Sequence, residues 1–330
     1  MFSDSHAHIL SCSKKLQEKC DELKKSETGT FSQMNKKPSQ SSTNSELICS
    51  GEEMMEVMQR EDFRFVMDIG TEPGDLGERI ECVRRLGKGH IPSFIHFSAG
   101  LWPHKKTIED ACTSLKLLEK DIILGLSEAK DRACDLQGEK SREAKAAMFA
   151  LGECGLDRYW NGKEAPCLQD GGTLDVEGEE ALFVAQLKMA KKYNLALIIH
   201  SRDSYQQTLR CIDEVGYHKG VIHCYSYGVE EARSFLERGW YISFVGNITF
   251  AKTKVKIKQI EDLVSSIPKE KLLLETDSPY MAPNPLRGKT NTPVYIKHTY
   301  ARASEYLKIS VQELCDIVYE NCIKLFAISS

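Results

Sequence analysis

Eight short runs rich in aliphatic, β-branched and aromatic residues recur along this chain with helical stretches between them, and that alternation is its tightest constraint. The runs fall at 2–8, 62–71, 93–101, 147–155, 195–201, 220–226, 240–245 and 271–277. Between them lie amphipathic segments such as 179–193, where Ala181, Phe183, Val184, Leu187 and Ala190 keep a helical spacing. Strand and helix alternating eight times predict an α/β fold, a (β/α)8 TIM barrel, with a doubly wound sheet as the alternative. A chain of 330 residues is long for one core, but barrels of this size commonly form one domain. Residues 1–330 are therefore expected to make a single barrel.

In such a barrel the C-terminal ends of the strands converge on one mouth. The first run ends in His6 and His8, and the fourth, ALGECGLD, carries Glu153. The fifth ends in His200, the sixth in His223 and the eighth in Asp277. All six are metal-ligand residue types. The chain has nine histidines, so four at strand ends is a concentration that composition does not explain. Any one of them reads equally well as a histidine bonded inside the core; the set across five strands reads as a metal centre. Side chains at i and i+2 of a strand share a face, so Asp4, His6 and His8 are expected in one column with Asp4 a layer deeper. Asp4 and Glu275 each precede a ligand by two residues and are placed to orient it, with a hydrogen bond or ion pair inside the barrel as the equal alternative.

The apolar fraction of 41% and charged fraction of 28% are those of an ordinary soluble globular protein. A formal charge of -4 and a pI near 6.2 argue against a broad surface that coats nucleic acid, while leaving room for a local basic groove. Twelve cysteines include no Cys-x-x-Cys pair, and Cys154, Cys211 and Cys224 lie in or beside apolar runs where a thiol acts as a small hydrophobe. This pattern reads as a reducing compartment. The first motif begins at residue 4, leaving no room for a signal peptide, and the apolar runs are far shorter than a membrane span. The expectation is a cytoplasmic protein, with the nucleus as the alternative, and with neither membrane association nor an obligate protein partner.

Taken together these segments resemble the TatD family of metal-dependent hydrolases, within the amidohydrolase-like barrels. The matching elements are Asp4-Ser5-His6-Ala7-His8, Gly152-Glu153-Cys154-Gly155-Leu156-Asp157, His200-Ser201-Arg202-Asp203, His223 and Glu275-Thr276-Asp277-Ser278-Pro279. The stretch Arg287 to Pro293, which includes Asn291, and a terminal Asn321 ahead of Leu325 and Phe326 fit as well. The resemblance implies a phosphodiesterase with two divalent metal ions, typically a deoxyribonuclease acting from a 3′ end of DNA. It implies that His6, His8 and Asp277 hold one ion, His200 and His223 the other, and that Glu153 bridges. Imidazole and carboxylate donors suit zinc, manganese or, with less histidine, magnesium. Two such ions lower the pKa of a bound water and clamp both oxygens of a phosphodiester, and Asp277 can hold a metal and accept the water's proton.

Three departures from the family pattern stand out. Gly100-Leu101-Trp102-Pro103-His104 has Trp102 where the family usually has a histidine, which bears on substrate handling rather than metal binding. The indole either stacks on a base or packs at the barrel rim. Residues 13–47 insert a polar stretch on the catalytic side; its first half is helix-like and its second half, GTFSQMNKKPSQSSTNSE, reads as mobile. Finally, 128–146 and 158–178 are longer than the pattern needs, the first charged and helical, the second a Gly-rich loop. Candidate substrate contacts are Arg202, Arg287 and Lys289, downstream of strand ends, with Trp102 and His104; a strand-end arginine can bind phosphate bidentately. Lys252, Lys254, Lys256 and Lys258 read as a solvated helix face. Ser310-Val311-Gln312-Glu313 is a capping box opening a last helix whose Leu314, Ile317, Val318 and Leu325 should pack on the barrel. The same bridging chemistry would also serve a hydrolase of esters, lactones or amides, and a third reading is an inactive metal-holding interaction module.

Overall fold

The computed structural model describes residues 1–28, 47–135 and 148–327. Its centre is one eight-stranded sheet in which each strand pairs in parallel with the next, β1 to β8 in chain order. The strands are β1 (Ser3–Ala7), β2 (Phe65–Asp68), β3 (Ile95–Ala99), β4 (Met148–Asp157), β5 (Ala196–Arg202), β6 (Gly220–Ile222), β7 (Tyr241–Phe244) and β8 (Leu272–Leu274). The ring is nearly closed between β8 and β1 by a parallel bridge of Ala7 to Ser278, where the His8 amide donates to the Ser278 carbonyl at 2.9 Å. The barrel expected from the sequence is therefore present.

Helices α1 (Ile9–Thr28), α2 (Gly51–Arg60), α3 (Leu76–Leu86), α4 (Lys105–Glu109), α5 (Ala111–Asp135) and α6 (Val176–Tyr193) surround the first half. The second half is covered by α7 (Tyr205–Val215), α8 (Val229–Glu237), α9 (Lys254–Ser266), α10 (Ile296–Leu307) and α11 (Val311–Phe326). Burial joins the strands and the inner helix faces into one apolar cluster that includes Phe65, Phe97, Phe183, Trp240 and Tyr300. Phe326 of α11 stacks on Phe65, ring centroids 5.6 Å apart, so the last helix closes the cluster against β2. Leu314, Val318 and Leu325 are buried there, while Ile317 is only half-buried. Among the described residues no helix is long and apolar enough to cross a membrane.

Several boundaries differ from the sequence reading. The runs 62–71, 220–226 and 271–277 make ladders only over Phe65–Asp68, Gly220–Ile222 and Leu272–Leu274. Past them the chain turns, with Cys224 at φ 46 and Asp277 at φ 51, so their ligand-type residues sit on the turns just above the barrel. The fourth strand runs longer than expected, to Asp157. The first half of the polar insertion is helical, as expected: it belongs to α1, with Leu16 buried. Residues 29–46, the part read as mobile, lie outside the described residues, as do 136–146 of the charged segment 128–146. The stretch 158–178 is the expected loop, broken by one 3-10 turn at Leu168–Asp170, before α6 starts at Val176. Ser310 accepts the Glu313 amide at 3.1 Å, but the Glu313 carboxylate pairs with Lys269 at 3.0 Å; only half of the expected capping box forms. Lys252, Lys254, Lys256 and Lys258 are exposed, as expected of a solvated face.

Candidate metal centre

The barrel delivers all six ligand-type residues to one place. Glu153 lies at its centre, buried, with its two carboxylate oxygens facing different partners. Oε2 is 3.3 Å from His6 Nε2 and 3.8 Å from His8 Nε2. Oε1 is 3.0 Å from His200 Nδ1 and 3.0 Å from His223 Nε2. Asp277 Oδ1 lies 3.7 Å from His6 Nε2 and 3.6 Å from His8 Nε2. Donor atoms of His6, His8 and Asp277 fall within 4.8 Å of one another, as do those of Glu153, His200 and His223.

The backbone explains why Glu153 reaches the centre from mid-strand. The β3–β4 and β4–β5 registers both shift in this region, and glycines flank it. A Cβ on Gly100 would lie 2.6 Å from the Glu153 amide, and one on Gly155, at φ +145, would collide with the His200 carbonyl. No side chain fits at either position without moving a strand that carries a ligand.

The donor set fits divalent cations. His6 and His8 bring their Nε2 atoms within 3.3 Å of each other, and His200 Nδ1 and His223 Nε2 are also 3.3 Å apart. Lone pairs of neutral imidazoles repel at that distance, so each pair needs a proton or a cation between its members. His8 Nδ1 lies 3.3 Å from the Ile69 carbonyl and His200 Nε2 lies 2.8 Å from Asp157 Oδ2. Those partners take the outward proton and leave the inward nitrogen free as a ligand. His6 Nδ1 is buried without a hydrogen-bond partner among the described residues.

Electrostatics agree. Burial alone would raise the Glu153 carboxyl, but the imidazoles of His223, His200 and His6 hold it well below its usual range. Asp277 is likewise lowered against its burial by His8, His6 and His223. Burial lowers His200, yet the carboxylates of Asp157 and Glu153 outweigh it and push the imidazole up to about 9. Two ionised carboxylates surrounded by proton-seeking imidazoles are a pocket built for positive charge.

The outer residues divide. Glu275 approaches His223, Oε1 to Nδ1 at 3.3 Å, and accepts the Cys224 amide at 2.6 Å, so it supports a ligand on a different strand from the one expected. Asp4 does not sit beneath the imidazoles. Its Oδ1 accepts the His6 amide at 3.2 Å and the Thr276 amide at 3.0 Å, and Oδ2 accepts the Thr276 hydroxyl at 2.6 Å. The register irregularity between Asp4 and Ala7 breaks the expected column, and Asp4 ties backbone rather than ring. Burial, opposed by the Thr276 bonds, pushes its carboxyl up to about 8.

At the rim, Trp102 is half-buried, its ring 5.8 Å from His200 and 6.3 Å from Trp160, edge-on to both. Exposed Arg202 lies over Tyr159 at 3.7 Å. His104 instead bonds Glu72 at 3.1 Å and Thr107 at 2.7 Å, and Arg287 stacks on Phe250 at 4.3 Å. Asp157 was given no role by the sequence reading, although it closes the matching element that begins at Gly152. Its other oxygen accepts the amides of Tyr159 and Trp160 at 2.9 and 3.2 Å, which locks the carboxylate that holds His200.

Comparison with known proteins agrees with this geometry. The family model for TatD related DNase matches residues 3–327. The uncharacterized metal-dependent hydrolase YabD of Bacillus subtilis is 34% identical over 197 residues, 59% of this chain and 71% of that protein. The uncharacterized metal-dependent hydrolase YcfH of Escherichia coli is 31% identical over 198 residues, 59% and 69% of the two chains. The crystal structure of a hydrolase TatD family protein from Entamoeba histolytica superposes with a TM-score of 0.68 at 18% identity, covering 98% of this chain and 97% of that one, which supports the fold.

Proposed function

The chain belongs to the TatD related DNase family of metal-dependent hydrolases, and from that premise we propose that it hydrolyses phosphodiesters at the 3′ end of single-stranded DNA with two divalent ions. The observation that carries this reading is Glu153, whose two oxygens each face a separate imidazole pair. His6, His8 and Asp277 would hold one ion, His200 and His223 the other, and Glu153 would touch both. Four imidazoles beside two carboxylates suit zinc or manganese, with magnesium the poorer match. When bound, such ions supply Lewis acidity toward the phosphodiester and acidify a water. The remaining steps belong to the chain. Asp277, held ionised beside His8 and His6, accepts a proton from the attacking water. Arg202 follows His200 by two residues and offers its exposed guanidinium to a phosphate. A single terminal phosphodiester needs few positive contacts, which suits an acidic protein better than coating a duplex does. We assign the protein to the cytoplasm or nucleus on its cysteine usage, with no obligate protein partner, and read residues 1–330 as one domain.

Trp102 favours a second reading. With an indole beside His200, the same centre would accept an ester, lactone or amide bearing a planar or apolar group. Release of nucleotides from 3′-labelled single-stranded DNA, titrated with zinc, manganese and magnesium, separates the two. The first reading expects metal-dependent release that Asp277→Asn abolishes. No release in any metal, together with turnover of an ester or lactone, would replace it with the second.

A further inference from the structure

We propose that Arg79 and Asp68 are positioning residues, whose buried ion pair pins the 68–70 segment that anchors both His8 and Glu153 and so fixes the spacing of the two ligand groups. The inference rests on the metal-centre reading above. Arg79 stands on α3, outside the barrel, yet is only 3% exposed. Its Nη1 donates to the Asp68 carboxylate at 2.9 Å and the Asp68 carbonyl at 3.1 Å. Nη2 donates to the Ser98 carbonyl at 2.5 Å and Nε to Asp75 at 2.9 Å. One guanidinium therefore ties the end of β2 to β3 and to its own helix.

The pinned segment carries a ligand on each side. Toward β1, Asp68 Oδ1 accepts the amide of Ile9, the residue after His8, at 2.8 Å, and the Ile69 carbonyl lies 3.3 Å from His8 Nδ1. Toward β4, the Gly70 carbonyl accepts the Glu153 amide at 2.7 Å. The Ser98 hydroxyl accepts the Gly70 amide at 3.2 Å and donates to the Gly152 carbonyl at 2.5 Å. A Cβ on Gly70 would come 2.6 Å from Arg79 Nη2, so the guanidinium lies directly against this backbone. A buried ion pair adds little net stability, because desolvation offsets the attraction, and an apolar pair would fill the space as well. What the charged pair adds here is a fixed separation between the anchor of His8 and that of Glu153.

Calorimetric titration of the metal-free full chain with Mn2+ tests this. Asp68→Asn combined with Arg79→Met removes both charges of the pair and strands only the Asp75 carboxylate, which the Thr71 and Glu72 amides still hold at 3.1 and 3.2 Å. The expected result is a metal-free melting curve close to wild type with Mn2+ affinity lower by about 10–100-fold. Ser98→Ala should give a smaller loss in the same direction, and Arg79→Lys, which keeps the charge but not the fork, an intermediate one. Folded variants that bind Mn2+ as tightly as wild type overturn the inference alone. Should the double variant not fold, unchanged affinity in Ser98→Ala overturns it. A wild type that binds neither Mn2+ nor Zn2+ overturns the metal-centre reading and this inference with it.

Discussion

His200 sits between two carboxylates, Glu153 on its Nδ1 and Asp157 on its Nε2, at 3.0 and 2.8 Å. In the metal-free protein its raised pKa, about 9, makes the protonated ring a source of stability. That contribution is complete below the unfolded value of 6.5 and is lost as pH rises through about 9. Asp157→Asn removes one carboxylate, so the loss should shift to lower pH in melting curves of chelator-treated protein; superimposable curves would show that Asp157 does not hold the charge. Arg202→Ala is expected to lower DNA cleavage by about 10–100-fold, the loss of a hydrogen bond to a charged group, with metal content unchanged. Loss of metal in that variant would move Arg202 from substrate to scaffold. At this scale the six ligand-type residues were legible because strand ends in a barrel converge whatever the intervening sequence. Asp157 and Arg79 were not: one acts from the end of β4, held by the amides of the turn that follows, the other from an outer helix, and no period in the sequence marks either. Asp4 takes the hydrogen-bonded alternative, its carboxylate holding the His6 and Thr276 amides beside an irregular register.

Among the elements, the eight runs identified the strands but not their lengths. The runs as read continue past the last ladder bond at β2, β6 and β8, because the turns that carry His223 and Asp277 are themselves largely buried beside the core. The helical half of the insertion was legible from its charged, Leu-spaced pattern, and α1 anchors it with Lys14 paired to Glu78 at 2.8 Å. Deleting all of 13–47 would therefore remove packed structure, since Leu16 of α1 is buried. The last helix holds the first strands through Phe326 on Phe65, and Phe326→Ala should cost about 3–5 kcal/mol in denaturant unfolding. A change below about 1 kcal/mol would mean that the site collapses around the missing ring. Gly100→Ala tests how β3 and β4 fit: with no room for a Cβ against Glu153, it should weaken metal binding even where the fold survives.

The whole molecule is a ring whose one mouth gathers residues from five strands, so its function depends on the ring staying closed. Replacing only residues 29–46 with a Gly/Ser linker of similar length should change unfolding free energy by less than about 1 kcal/mol, since loop entropy varies slowly with length. A single cooperative transition is expected, in keeping with one domain. Two separated transitions would divide the chain. What the family resemblance added to the alternating pattern was the grouping of ligands, and the centre of that grouping is Glu153. Metal analysis of the purified full chain and two variants tests it most directly. The account predicts two ions in wild type, one in His200→Ala and loss of both in Glu153→Gln, because Glu153 faces both imidazole pairs. Two ions retained in Glu153→Gln would contradict it.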